Sequence, residues 1–258
     1  MENSDWPLRE LSLKVLDLQK QIAYYQAFGM RILEKNAESA LLAAGEGVRL
    51  TLKKLKDGKA RPRESAGLFH FAILLEDRES LGAFVRFAAH KPFHFAGAAD
   101  HLVSEALYFS DEEQNGIEVY ADRPREFWKS DGKLVQMDTL PMDIEELASL
   151  PSPEWNGFSP GTRLGHMHLT VSDTDESQKF YESLGLQLTL DWGTFRFLSW
   201  DGYHHHVGIN LVRGRNASHV TAEVSGLESF AIQRAALPQE RNDPNGIKLI
   251  PFESPTHN

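Results

Sequence analysis

LSLKVLDLQKQIAYYQAFGMRIL, Leu11 to Leu33, returns later in the chain as MHLTVSDTDESQKFYESLGLQLT, Met167 to Thr189, and the two stretches align without a gap. Leu13 matches Leu169, Val15 matches Val171, Asp17 matches Asp173, Tyr25 matches Tyr181 and Gly29 matches Gly185. Each copy opens with alternating residues, the period of a half-buried strand. Asp17 and Asp173 then stand where a helix N-cap belongs. Tyr24, Tyr25 and Phe28 in one copy, and Phe180, Tyr181 and Leu184 in the other, put bulk on one helix face. Gly29 and Gly185 read as helix stops. Each unit is therefore expected to run strand, helix, further strands.

Two weaker copies exist. HFAILLEDRESLGAFVRFA, His70 to Ala88, opens the same way with Asp77 at the cap. HVTAEVSGLESFAIQ, His219 to Gln233, does so too, with a short helix and a brief tail. The expectation is four βα-led modules, roughly 8–55, 68–121, 164–212 and 217–252. Residues 126–162, rich in Pro and polar side chains with one helical patch near Asp143 to Leu150, read as a linker between an N-terminal half, 1–125, and a C-terminal half, 163–258. A single module cannot cover its own sheet and must pair with another.

Bulk composition narrows the function. The 258 residues are 41% hydrophobic and 25% charged, which is globular. A net charge of -10 argues against nucleic acid as a partner. No apolar run approaches the ~18 residues of a membrane span, and the N-terminus lacks a signal pattern, so the cytoplasm is the default location. Cysteine is absent, which excludes disulfides, thiolate ligands and a cysteine nucleophile. Any metal must be held by His, Asp or Glu.

The segments GHMHLTVSDTDESQKFYESLGL, GYHHHVGIN, LFHFAILLEDRESLGAF and GAADHLVSEALYFSDEEQNGIEVYADRP together resemble the vicinal oxygen chelate superfamily of glyoxalases, bleomycin-resistance proteins and type I extradiol dioxygenases. They look most like its catechol-2,3-dioxygenase-like branch. The resemblance covers nearly the whole chain and implies an α+β fold of four βαβββ modules in two halves. It also implies a divalent metal, Fe(II) first, with Mn(II), Ni(II) or Zn(II) as alternatives. The implied partners are a small aromatic substrate and dioxygen, with a homodimer possible and no membrane.

In that superfamily, ligands come from the first and last strands of a module. The first-strand position, seven residues before the cap, is Glu10, His70, His166 and His219 in the four modules. The last-strand position is Glu118 in module two, and either Lys248 or Ile250 in module four. Modules three and four alone would offer His166 and His219 without an acid. Modules two and three together offer His70, Glu118 and His166, the two-histidine, one-carboxylate face that a ring-cleaving enzyme requires. The expectation is that module two pairs with module three and module one with module four. The better-known extradiol enzymes instead carry the metal in their last two modules.

Read as a strand, GYHHHVGINL (Gly202 to Leu211) points His204, His206 and Gly208 to one face and His205 to the other. By the resemblance, His206 takes the place of the acid/base. Tyr203 would orient substrate, and His204 and His205 would support or pack. His168 shares a face with His166 and would buttress it. Asp100 and His101 either line the pocket or cap a turn. Two rival readings stay open: a glyoxalase-type isomerase or lyase, which would prefer a fourth protein ligand, and a binding protein for small aromatic molecules.

Overall fold

The computed structural model describes residues 6–252 apart from 133, 216, 234 and 235. Module one comprises β1 (Leu8–Val15), α1 (Leu18–Ala27), β2 (Arg31–Lys35), β3 (Ser39–Ala44) and β4 (Val48–Lys54). Module two comprises β5 (Gly67–Leu74), α2 (Arg78–Ala88), β6 (His94–Asp100), β7 (Ser104–Ser110) and β8 (Gly116–Asp122). A connecting segment with the short helix α3 (Ile144–Ser149) follows. Module three comprises β9 (Arg163–Thr170), α4 (Thr174–Glu182), β10 (Gln187–Asp191), β11 (Phe195–Ser199) and β12 (Val207–Asn210). Module four retains β13 (Gly226–Gln233), β14 (Arg241–Asn242) and β15 (Lys248–Phe252). The helices start where the capping aspartates require: Asp17 accepts from Lys20 N, Asp77 from Ser80 N, and Asp173 from Asp175 N and Glu176 N.

The modules pair across the halves. One seven-stranded sheet has the order β14-β15-β13-β1-β4-β3-β2, and an eight-stranded sheet has the order β10-β11-β12-β9-β5-β8-β7-β6. β5 runs antiparallel to β9, so modules two and three share one sheet; β1 runs antiparallel to β13, so modules one and four share the other. Within each half the modules are laced together. Tyr25 of module one donates to Asp111 of module two (2.9 Å), and Tyr181 of module three donates to Asp243 of module four (3.2 Å). Burial raises both aspartates above the ordinary carboxylate range, against the hydrogen bonds they accept.

Module four differs from the expected pattern. The segment expected as a short helix is the strand β13, and no helix occurs in this module among the described residues. The strand begins seven residues after His219. Gly226 (φ 110°) takes the place that Gly67 (φ 127°) has at the start of β5. The ambiguous last-strand position resolves to Ile250. Ala231 is in register with Ile250 as Ala72 is with Glu118. The two turns share one geometry, with the Asn-Gly pair two residues later in module two: Asp111 Oδ1 accepts from Glu113 N and Asn115 N, while Asp243 Oδ1 accepts from Asn245 N and Ile247 N. Gln114 (φ 64°) therefore holds the left-handed position that Gly246 (φ 89°) holds in module four.

The segment between the halves is more than a tether. Val135 N donates to Thr189 O of β10 (2.7 Å), and Leu140 exchanges two backbone hydrogen bonds with Asp100 of β6 (2.9 and 3.0 Å). It thus straps together the two outer strands of the eight-stranded sheet. Met137 of the strap packs with Val103, Leu190 and Phe197 as a small second core. The strap then docks on α2, where Arg86 donates to the carbonyls of Ala148 (2.8 Å) and Leu150 (3.2 Å). At Gly82 of α2 any β-carbon would stand 2.4 Å from Leu147 O, so this contact requires glycine.

Candidate metal centre and cleft

The register of β5, β8 and β9 assembles the centre. His70 pairs with Gly116 and Ala72 with Glu118 on one side of β5, while Ala72 pairs with His166 on the other. Three ligand atoms converge. His70 Nε2 lies 2.9 Å from Glu118 Oε2, His166 Nε2 lies 3.0 Å from the same oxygen, and the two nitrogens are 3.2 Å apart. All three residues are buried. Two donors at right angles on an ion at about 2.1 Å stand about 3.0 Å apart, whereas a tetrahedral angle would give about 3.4 Å. The triangle therefore fits one face of an octahedron, which leaves the opposite face for other ligands.

The charges suit a cation. Burial works to raise the Glu118 carboxyl, but His166 and His70 outweigh it and hold it well below the ordinary range. Burial lowers His166 to about 4, so its ring is neutral at pH 7 and offers a lone pair.

Beside the centre lies a cleft of about 370 Å³, floored by His70 and Glu118 and walled by Phe69, Phe195, Phe197 and Trp192. Met137 and Thr139 of the strap close it. Its polar features include His101, Tyr108, His168 and His205. His168 is buried, packs edge-on against the His70 ring (4.8 Å between centroids), and is kept neutral by that burial. Tyr108, directly across from Glu118 in the β7–β8 register, hydrogen-bonds His101 Nε2 through its hydroxyl (2.6 Å). Asp138 O can only accept from His101 Nδ1 (2.8 Å), so in the neutral ring His101 Nε2 is the acceptor and Tyr108 the donor. Burial, then the nearby Glu118 charge, raises the Tyr108 phenol well above its ordinary value.

The histidine run needs correcting. It lies in a bend ahead of β12, not within a strand. The alternation therefore shifts, and His205 rather than His206 enters the cleft, stacked on Phe197 (4.0 Å, 15°) and close to His166 (4.0 Å). His206 faces away. Its Nδ1 meets Ser199 Oγ (3.1 Å) and the Trp200 amide (3.4 Å), and its ring lies against Trp6. Burial lowers it to about 3. Tyr203 likewise lies away from the cleft, its hydroxyl 2.6 Å from that of Tyr120. His204 hydrogen-bonds Asp122 (3.0 Å).

Three further expectations resolve. Asp100 caps a turn: it accepts from Leu102 N (2.8 Å) and pairs with Arg123 (2.7 Å). Glu10 is exposed in the other sheet. His219 is exposed in the loop before β13 and does not approach the centre. Sequence reasoning missed Tyr108 and Asp122. Period 2 along GIEVYAD puts Asp122 on the face of Glu118, so that signal was available for Asp122. Tyr108 needed the β7–β8 register.

Paired sheets of βαβββ type around a buried two-histidine, one-carboxylate centre define the architecture. The chain belongs to the Glyoxalase/Bleomycin resistance protein/Dioxygenase superfamily, whose profile matches residues 8–119. It is 40% identical over 230 residues to the catechol-2,3-dioxygenase of Bacillus subtilis strain 168, an alignment covering 85% of this chain and 80% of that one. Among solved structures it resembles a putative dioxygenase from Bacillus subtilis (TM-score 0.63, 12% identity, 96% of this chain and 85% of that one). It also resembles glyoxalase I from Zea mays (TM-score 0.54, 16% identity, 96% and 92%). These two likenesses concern the fold. Among the described residues no helix is long and apolar enough to cross a membrane.

Proposed function

We propose that the protein is a metal-dependent extradiol dioxygenase acting on a catechol-like aromatic substrate. The observation that carries this reading is the facial spacing of His70, Glu118 and His166, the first two of them at the floor of an aromatic-walled cleft and the third beside a neutral histidine that lines it. A divalent ion there, Fe(II) foremost, would be held by these three side chains and would supply the charge that favours catecholate and a place for dioxygen next to it. Phe69, Phe195 and Trp192 present ring faces and edges suited to an aromatic ring. His205, kept neutral because burial lowers it well below its ordinary value, accepts the hydroxyl proton at Nε2, a buried atom without a partner. Tyr108 keeps an oxygen lone pair for substrate, because its hydrogen goes to His101. Met137 and the strap limit the entry of water.

The 40% relative named as a catechol-2,3-dioxygenase supports the reading. A glyoxalase-type isomerase would be served by a fourth ligand, and among the described residues the cluster has three. The same reading takes 1–125 and 163–258 as two halves joined by 126–162, a small aromatic substrate and dioxygen as partners, and a cytoplasmic location. The test is oxygen uptake with catechol by the iron-loaded protein. Stoichiometric uptake with a ring-opened product supports the reading, and metal binding without uptake contradicts it.

A further inference from the structure

A buried chain of polar side chains leads from the cleft to the other side of the centre. His204 Nδ1 lies 2.7 Å from His205 Nδ1, and His204 Nε2 lies 3.0 Å from Asp122 Oδ1. At the inner end, His205 lines the cleft and its Nε2 is buried without a partner. At the outer end, Asp122 borders a separate polar cleft with Glu76 and Arg125, and its side chain is 23% exposed. These residues stand outside the ligand triangle, and two of them come from the histidine run.

Hydrogen counting fixes the roles. The carboxylate can only accept, so His204 must carry a hydrogen on Nε2. A neutral imidazole has one such hydrogen, which leaves His204 Nδ1 as an acceptor. The 2.7 Å contact between the two Nδ1 atoms needs a hydrogen between them, and His205 is then the one to supply it. His205 Nε2 is left with a bare lone pair. The ring cannot turn freely to change this, because it is stacked on Phe197 and abuts His166.

We infer that Asp122 and His204 are positioning residues that hold His205 in the Nδ1–H tautomer and present its Nε2 lone pair to the cleft. The use of that lone pair, accepting a substrate hydroxyl proton, rests on the ring-cleaving reading above; the tautomer does not. The chain follows the general logic by which a carboxylate orients a histidine base, with one imidazole interposed. A doubly protonated His204 would reverse the inner bond and place a hydrogen on His205 Nε2, which makes the inference testable.

The experiment is a long-range proton–nitrogen NMR spectrum of metal-free protein labelled with ¹⁵N-histidine at pH 7.5, with His205 assigned by the loss of its signals in His205→Gln. The expected result is a protonated Nδ1 and an unprotonated Nε2 on His205. In His204→Phe, which fills the same space and removes the acceptor, and in Asp122→Asn, which can offer an N–H to His204, the His205 hydrogen should move wholly or partly to Nε2. Bound metal should be unchanged in both variants. In the iron-loaded enzyme kcat should fall by ~10²-fold in His204→Phe with KM unchanged. A hydrogen on Nε2 in the parent protein, or the parent tautomer persisting in both variants, would overturn the inference, as would loss of metal from both. Because the spectrum needs neither metal nor substrate, a protein that fails to cleave catechols would refute the proposed function and leave the tautomer assignment standing.

Discussion

His206 offers a test of the packing that is independent of the metal. It is buried, its Nδ1 is met by the Trp200 amide and Ser199 Oγ, and burial lowers it to about 3. Protonating it would place a hydrogen on Nδ1 against an amide that already points there. The folded chain therefore keeps this ring neutral, while in the unfolded chain a histidine titrates near 6.5. A group with a depressed folded value contributes stability that is present above the unfolded value and is lost as pH falls towards the folded one. Between pH 7 and 5 the unfolded chain takes up about 0.7 of a proton at this site, to become nearly fully protonated, and the folded chain takes up almost none. The integrated loss is about 2 kcal/mol and depends little on the folded value, so long as that value stays below about 4. His206→Asn keeps an acceptor towards the Trp200 amide and removes the titration. Urea unfolding of both proteins at pH 7 and pH 5 measures the difference. The variant is expected to be less stable at pH 7, but to lose about 2 kcal/mol less than the parent on acidification. Equal losses in the two proteins would show that His206 is not held neutral in the fold and would refute the placement of this ring.

The strap gives a second test. In Gly82→Ala the new methyl group meets Leu147 O, and a cost of about 1–3 kcal/mol with loosening of the strap is expected, measured by thermal unfolding and by proteolysis within residues 126–162. Tyr25→Phe removes a donor from the buried Asp111 and should cost about 1–3 kcal/mol in urea unfolding; an effect near zero would show that the lacing between modules one and two is not a structural requirement. Met137→Ala opens the cleft where the strap closes it. Catechols with larger ring substituents should gain in kcat/KM relative to catechol, and an unchanged ratio would remove Met137 from the substrate wall.

The module plan was legible because its signals are local. A capping aspartate, a bulky helix face and a stop glycine recur at fixed spacing, and Asp17, Asp77 and Asp173 all cap helices. The pairing of module two with module three was legible for a chemical reason: the last strand of module four carries Ile250 where module two carries Glu118, so an acid-containing centre had to form elsewhere. What failed was register. Alternation from His204 to His206 requires a strand, and the strand starts only at Val207, so the expected facing was out by one residue. The placement of His219 at the first-strand position failed for a related reason, because β13 begins at Gly226 and leaves that histidine in a loop. The strap was unreadable because nothing local in KSDGKLVQMDTL announces that Val135 and Leu140 will bond to β10 and β6. Those contacts depend on where two distant strands end up.

The central claim is that one divalent ion is held jointly by β5, β8 and β9. The most direct test is metal stoichiometry and affinity, by calorimetry and elemental analysis, for the untagged parent protein and for His70→Ala, Glu118→Gln and His219→Ala. One ion per chain in the parent and in His219→Ala, with affinity lost by more than ~10²-fold in His70→Ala and Glu118→Gln, is the expected result. Retention in His70→Ala with loss in His219→Ala would contradict it and move the centre to the C-terminal half.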